Sequence, residues 1–336
     1  MQPLLTILVC THDRARLLHA VLESLACCER PRNGTVEILV VANACRDATH
    51  ATLDEWASRP AVDGLLPLRW LAEPTPGKSH ALNLGMANAQ GRWVAVVDDD
   101  HRVSHDFLVR IAQAIENRPE ATLLCGRILP DWDGREPAWV HDTGPYRVYP
   151  LPIPRQDFGD APRELTREGP IPGGGNQVIR ADAARRLGAF CTELGPQGHD
   201  LGGGEDTEYM LRALRAGERL WYEPRIVQYH HVDLQRLTLR YLMRKAYQRS
   251  AAAVSLHAPH APHAPHARAR DDGQVPLYLY RKLAGYAFGA LTSLGARRRR
   301  FYLVRCAAAL GEMAGHAGHR GGRADSAAAT AGSDHA

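Results

Sequence analysis

Trp93–Val94–Ala95–Val96–Val97–Asp98–Asp99–Asp100–His101 is the stretch that most limits what this chain can become. Five apolar residues run without a break into three carboxylates. A short continuous apolar run fits a strand buried on both faces, as in a parallel sheet covered by helices. The acids then fall just past the strand's carboxyl end, the edge where open α/β sheets bind ligands. Three adjacent carboxylates repel one another unless positive charge sits among them. A hard divalent cation, Mg²⁺ or Mn²⁺, would supply it, taking substrate phosphate oxygens as well. An isolated Asp triplet equally suits a solvated turn that caps a helix starting near Ser104, so the rest of the chain has to decide.

Ahead of this stretch, apolar strand patterns at 4–10, 36–42 and 66–71 alternate with helical patterns at 14–28, 47–58 and 78–90. The fourth strand pattern, 92–97, is followed by a helix at 104–117 with Ser104 as its expected N-cap. Such alternation predicts an α/β fold with a doubly wound, mainly parallel sheet flanked by helices. Because βαβ crossovers share one hand, the strand ends fall on one rim. Thr11, Asn43, residues 72–73 and Asp98–Asp100 therefore converge. From 126 to 172 the chain is rich in Pro, Gly, Trp and Tyr, which reads as long loops. Short strands are expected at 176–180, 219–222 and 226–229, and helices at 182–187, 205–216 and 237–254.

Three further stretches carry candidate chemistry. Pro76-Gly-Lys-Ser-His-Ala-Leu-Asn-Leu-Gly85 allows close approach at its glycines, and Lys78 could meet phosphate, although the pattern is not a Walker loop. Gly173-Gly-Gly-Asn176 offers backbone N–H groups to a ligand, or is only a flexible turn. Gly202-Gly-Gly-Glu-Asp206 places two acids at a helix start, where they either cap the helix or serve as a general base. Arg212, four residues after Glu208, is either a surface pair with it or a member of the site.

Charge is divided unevenly. Residues 236–336 carry 16 Lys/Arg against 5 Asp/Glu, so the overall +4 conceals an acidic body and a basic C-terminal part suited to an anionic surface. Helix patterns at 277–294 and 301–313 flank four arginines at 297–300. They are too interrupted by charge to span a bilayer, but suit helices lying at an interface. The repeat at 257–267, H-A-P-H-A-P-H-A-P-H-A, reads as a low-complexity linker, with metal binding the alternative. Residues after 315 have little to bury and read as disordered. Seven scattered cysteines, none in a C-x-x-C pair, suggest a reducing compartment. The start of the chain reads as a first strand and not as a signal peptide.

In order, Val9-Cys-Thr-His-Asp-Arg14, Val41-Ala-Asn-Ala-Cys-Arg-Asp47, Gly77-Lys-Ser-His-Ala-Leu-Asn83, Asp98-Asp-Asp100, Gly174-Gly-Asn176, Gly204-Glu-Asp206 and Tyr229-His230 resemble a family 2 glycosyltransferase of the GT-A fold, over roughly residues 4–250. The resemblance implies inverting transfer from a nucleotide-diphosphate sugar to a hydroxyl acceptor. Thr11 and Asn43 are implied at the nucleotide base, and Asp98 and Asp100 around the cation that holds the diphosphate. Asp206 is implied as base with Glu205 beside it, and His230 as a further metal or phosphate ligand. Lys78, Asp98, Asp99, Gly174, Gly175, Asn176 and Arg212 complete the substrate-binding candidates. Ala42 stands where the family often has an acid, His101 follows the triplet where a small or apolar residue is commoner, and His231 doubles His230.

On this reading residues 1–125 bind the nucleotide sugar and 126–235 form the acceptor-facing, catalytic half. Residues 236–314 are a helical extension, with the His/Pro linker at 255–276. The implied acceptor is a glycan or lipid-linked sugar in cell-envelope or exopolysaccharide synthesis. The implied location is cytoplasmic, peripheral on the inner face of the plasma membrane, and no nucleic acid is expected. A nucleotidyltransferase is the rival enzyme, but 11–16 lacks the glycines of its usual phosphate loop. A non-catalytic sugar- or nucleotide-binding module is the rival from outside enzymes.

Overall fold

The computed structural model describes residues 2–59, 65–194, 204–256 and 275–330. The His-Ala-Pro repeat and the first two glycines before Glu205 lie outside the described residues. The chain divides into two compact units: Met1–Asp131 with Pro154–Val232, and Trp132–Ile153 with Asp233–Ala336.

The first unit is a nine-stranded mixed sheet covered by helices. In chain order its elements are β1 (Leu5–Thr11), α1 (Ala15–Ala26), β2 (Val36–Asn43), α2 (Thr49–Ser58), β3 (Leu68–Glu73), α3 (Lys78–Asn88), β4 (Trp93–Asp98), β5 (His101–Val103), α4 (Phe107–Asn117), β6 (Leu123–Asp131), β7 (Arg163–Leu165), β8 (Asn176–Arg180), α5 (Ala181–Leu187), α6 (Glu205–Arg215) and β9 (Leu220–His231). The strand order is β3-β2-β1-β4-β8-β6-β9-β5, with β7 also on β9. The block β3-β2-β1-β4 is parallel throughout. Cys10 therefore lies level with Asp98 and Asn43 level with Glu73, so the expected rim exists. Beyond it β8 runs antiparallel to both β4 and β6.

Strand alternation sorts the core onto the two faces of the sheet. Leu5, Ile7, Val9, Ile38, Val40, Ala95 and Val97 pack with Leu18, Leu22 and Leu25 of α1 and Phe107 and Ile111 of α4. Leu8, Leu39, Val41, Val94 and Val96 pack with Leu82 of α3 and Tyr209, Met210 and Ala213 of α6. Both faces are closed, which is why these strands read as unbroken apolar runs. A buried charge on β2 is fully partnered. Glu37, opposite Thr6 in the sheet, accepts from Thr6 Oγ1 at 2.6 Å, Gln90 N at 3.0 Å and Arg69 Nε at 3.1 Å.

Three expectations change. The residues after the acidic triplet form β5 before any helix. α4 starts at Phe107 with Asp106 at the N-cap position, and Ser104 donates to Asp106 at 2.9 Å instead of capping. The two short strands expected at 219–222 and 226–229 are one strand, β9. Its first half pairs with β7 and its second with β5, and the register against β6 shifts between Cys125 and Arg127. An irregularity of this kind accommodates Pro224 within the strand. Gly126 is needed at the same place, since a β-carbon there would come within 2.1 Å of the Ile226 carbonyl oxygen.

The second unit holds α7 (Leu239–Leu256), α8 (Leu277–Thr292) and α9 (Ala296–Thr330), preceded by the short turn Ala138–His141. Glycine lets α7 and α9 approach closely, with Gly311 against the Tyr247 carbonyl. Glu312 ties α9 to α8 through Lys282 at 2.6 Å and Tyr278 at 3.0 Å. The arginines at 297–300 do not separate two helices but form the first turn of α9, which runs through the stretch expected to be disordered. Asp142 faces Arg297 at 3.4 Å and Arg300 at 3.9 Å. Arg300 also lies over Trp139 and Arg298 over Tyr146. No helix among the described residues is long and apolar enough to cross a membrane.

Candidate active site

The parallel strands end together, and their last residues build the rim. Thr11 closes β1 and is almost wholly buried. Asn43 closes β2. Its Nδ2 donates to Thr75 O at 2.7 Å and Glu73 O at 3.3 Å, and its Oδ1 accepts from Gly77 N at 2.8 Å. Asn43 therefore organises the loop after β3 and sets the start of α3, which carries Lys78.

Lys78 joins two acidic groups that lie more than a hundred residues apart in sequence. Its Nζ is 3.0 Å from Asp98, 3.6 Å from Asp206 and 3.8 Å from Glu205. Arg14 does the same for the rest of the triplet, 2.8 Å from Asp99 and 3.0 Å from Asp100. Five carboxylates thus face two permanent cations. Burial would raise Asp98, but Lys78 outweighs it and holds the group at about 2. Asp99 is pushed up to about 6 by burial, with Arg14 opposing and Asp100 adding to the rise. Burial likewise raises Asp206 against the pull of Lys78, helped by Glu205 and Asp98. Burial works against the Lys78 ammonium, yet its three carboxylates raise it well above its ordinary value.

The glycine run supplies a wall with no side chains. An added β-carbon at Gly174 would come within 1.9 Å of Asp206 Oδ2, and one at Gly175 within 2.6 Å of Asp98 Oδ2. Gly175 also has φ +92°, where L residues are strained. Asn176, next in line, is fully buried, and its Nδ2 is committed to the carbonyls of Arg127 at 2.9 Å and Ile226 at 3.0 Å. It locks β8 to its neighbours below the rim. Arg212 bonds Glu208 at 2.9 Å, Ala189 O at 2.8 Å and the Leu187 carbonyl, and so ties α6 to the end of α5.

β5 brings in two histidines. His101 pairs with His230 of β9, and their rings stand 5.1 Å apart at 66°. His230 Nε2 lies 3.7 Å from Asp100, while His231 is more exposed and uses its backbone N–H to hold the Asp100 carbonyl at 2.8 Å. His230 is thus the inward member of the doubled pair. Burial lowers its pKa, with Asp100 opposing, and favours the neutral ring that a cation would need.

Residues 6–188 match the family model described as glycosyl transferase family 2. The chain belongs to that family. Among curated relatives, the succinoglycan biosynthesis protein ExoM of Rhizobium meliloti is 27% identical over 246 residues, 71% of this chain and 71% of its own. The glucosyl-dolichyl phosphate glucuronosyltransferase of Haloferax volcanii is 24% identical over 172 residues, 51% of this chain and 53% of its own. Among solved structures, S. aureus TarS 1-349 in complex with UDP-GlcNAc superposes with a TM-score of 0.52 at 15% identity, covering 95% of this chain and 92% of that one. That likeness supports the GT-A-like fold. As a family 2 glycosyltransferase, the chain transfers sugar from a nucleotide sugar.

Arg14, His101 and Gln228 were not among the residues selected from sequence. Arg14 stood three residues past a selected rim residue, and the rim argument extends to it. His101 and Gln228 meet only through the β5–β9 register, which no local pattern encodes.

Proposed function

We propose that this enzyme is an inverting transferase acting on a hydroxyl acceptor in envelope or exopolysaccharide synthesis, with Asp206 as general base. One observation carries the reading: Lys78 gathers the Asp98 end of the triplet and the Glu205–Asp206 pair within 4 Å of a single ammonium. The acids that would hold the leaving group and the acid that would take the proton thus border one space. Asp206 accepts the proton of the acceptor hydroxyl as its oxygen bonds to the anomeric carbon. The bond from that carbon to the phosphate oxygen breaks on the opposite side, and the electron pair leaves with the diphosphate. The raised proton affinity of Asp206 suits a base working near neutrality. Thr11 and Asn43 border the nucleotide base. Lys78 and Asp99 face the diphosphate side, and Gly174 and Gly175 let the donor lie against backbone. Asn176 and Arg212 fix the strand and helix that carry the site.

The donor set fits a divalent cation, Mg²⁺ or Mn²⁺. The acids outnumber the fixed cations, and donor atoms of Asp100, His101 and His230 lie within 4.8 Å of one another. Asp98, Asp100 and His230 would hold it, and when bound it would neutralise the charge growing on the diphosphate. For the acceptor, likeness to a succinoglycan biosynthesis protein and to a glucuronosyltransferase named for glucosyl-dolichyl phosphate favours a lipid-linked glycan. The exposed stripe Leu277, Phe288 and Leu291 on α8, with Leu294 beyond it and the 297–299 arginines exposed nearby, favours peripheral contact with the inner membrane face. The test is incubation with a panel of nucleotide sugars, scored for divalent-dependent release of nucleoside diphosphate. The anomeric configuration of the product is then read by NMR. Release with inversion is expected, and retention of configuration overturns the assigned role of Asp206.

A further inference from the structure

His101 is held in one orientation by two hydrogen bonds in series. Gln228, fully buried on β9, donates from Nε2 to the Val96 carbonyl at 3.1 Å. That bond turns Oε1 toward His101 Nδ1, 2.7 Å away. The amide oxygen only accepts, so Nδ1 carries a proton and is taken up by Gln228, and Nε2 is the nitrogen left to meet a ligand. Nε2 is directed at the acids, 3.7 Å from Asp100 Oδ1 and 4.0 Å from Asp98 Oδ2. Both distances are beyond hydrogen-bond range, and Nε2 is buried without a hydrogen-bond partner on a side chain only 1% exposed. A ring nitrogen whose other nitrogen is anchored to an acceptor is the arrangement by which proteins present histidine to a metal ion. The ring has little freedom to turn away, since Gly175 leaves no room for even a β-carbon beside its Cε1.

We propose that His101 is a further ligand of the divalent cation, and that Gln228 is its positioning residue. The inference rests on the metal-dependent reading above and deepens it. With His230 it makes a set of two imidazoles and carboxylates. Mg²⁺ favours oxygen ligands in near-ideal octahedral geometry, whereas imidazole suits later divalent ions. The site therefore discriminates in favour of Mn²⁺ over Mg²⁺ more than a carboxylate-only set would.

The experiment is pulsed EPR of Mn²⁺ on the full chain, alone and with UDP or GDP, alongside competition by Mg²⁺. Wild type is expected to show nitrogen couplings from two imidazoles. His101→Gln and His230→Gln should each show one, with the melting temperature followed as a control. His101→Gln should lose about tenfold or more in Mn²⁺ affinity while Mg²⁺ affinity changes little, and Gln228→Leu should weaken Mn²⁺ by about ten- to a hundredfold. Gln228→Glu, which keeps an acceptor at Nδ1, should recover most of that loss. A single coupling in wild type that survives His101→Gln overturns the proposal and leaves the metal reading standing. In that case His101 would be a neutral packing group or an imidazolium that only offsets Asp98 and Asp100. Absence of Mn²⁺ binding under all conditions overturns both.

Discussion

The acidic rim of the first unit and the basic start of α9 in the second are both dense in charge, but their charges do different work. In the rim every carboxylate of the triplet is at least half-buried and shares a cation, so removing one group strands another in poor solvent. At the start of α9 Arg297–Arg299 stand exposed, while Arg300 is mostly covered. Two share a single acid, Asp142, and Arg298 and Arg300 lie over aromatic rings. Exposed pairs of that kind contribute little to stability. Charge in the rim is held in mutual dependence, as the proposed chemistry requires, whereas the exposed charge on α9 is the part the proposed membrane contact would use.

The sharpest break of this contrast is Asp100→Ala. It removes one of the two acids bound by Arg14 and the one nearest His230. Transfer should fall below detection and divalent binding should be lost, while circular dichroism stays native. Full turnover in excess EDTA would show that the rim does not work through a cation. Next comes Asp206→Asn, which keeps the shape and removes the proposed base. Turnover should drop by about 10²–10⁴-fold with donor affinity little changed. Loss of donor affinity at unchanged turnover would make Asp206 a binding group.

The third probe moves from chemistry to stability within the same unit. Burial alone would raise Glu37, but Arg69, Thr6 and Gln90 together lower it. A depressed carboxylate stabilises the fold above its unfolded value, near 4.3, and that stabilisation is lost as pH falls through the lower folded value. Glu37→Gln should therefore cost about 1–3 kcal/mol at pH 7, with the gap to wild type closing below pH 4 in denaturant titrations. A gap independent of pH would assign the cost to packing. The smallest effect on the fold is expected from changing all four arginines at 297–300 to Gln. Stability should move by about 0.5 kcal/mol or less, whereas co-sedimentation with anionic vesicles should be lost. Equal binding by both proteins, or by neither at low salt, removes the membrane reading.

Legibility in the sequence followed the same division. The block β3-β2-β1-β4 could be read because both of its faces are covered, so apolar runs, helical spacing and crossover handedness agree. Asp98–Asp100 and Glu205–Asp206 could be read because each is contiguous and marks the end of a strand or the start of a helix. What could not be read depends on register between distant strands. β5 is three residues long, too short for a periodic signal, and β9 carries a proline that resembles a break. Their pairing nonetheless sets His101 beside His230. Asn43 was identifiable as a rim residue, but its bonds to the 73–77 loop depend on chain that arrives thirty residues later. On α9 the Arg run looked like an interruption because arginines are expected in solvent, yet arginine is a good helix former and the helix proceeds through it.

The backbone at Gly174 and Gly175 has a consequence for how such an enzyme can change. Neither position can accept even a methyl group without meeting Asp206 or Asp98, whereas Gly173, one residue earlier, has open space around it. Diversification of the two inner codons should return glycine alone among working variants, while the outer codon tolerates many residues. The corner between Asp98 and Asp206, where the proposal puts bond formation, is therefore frozen, and the chain's freedom to acquire new donors or acceptors lies outward from it, in parts of the rim where a side chain can still grow.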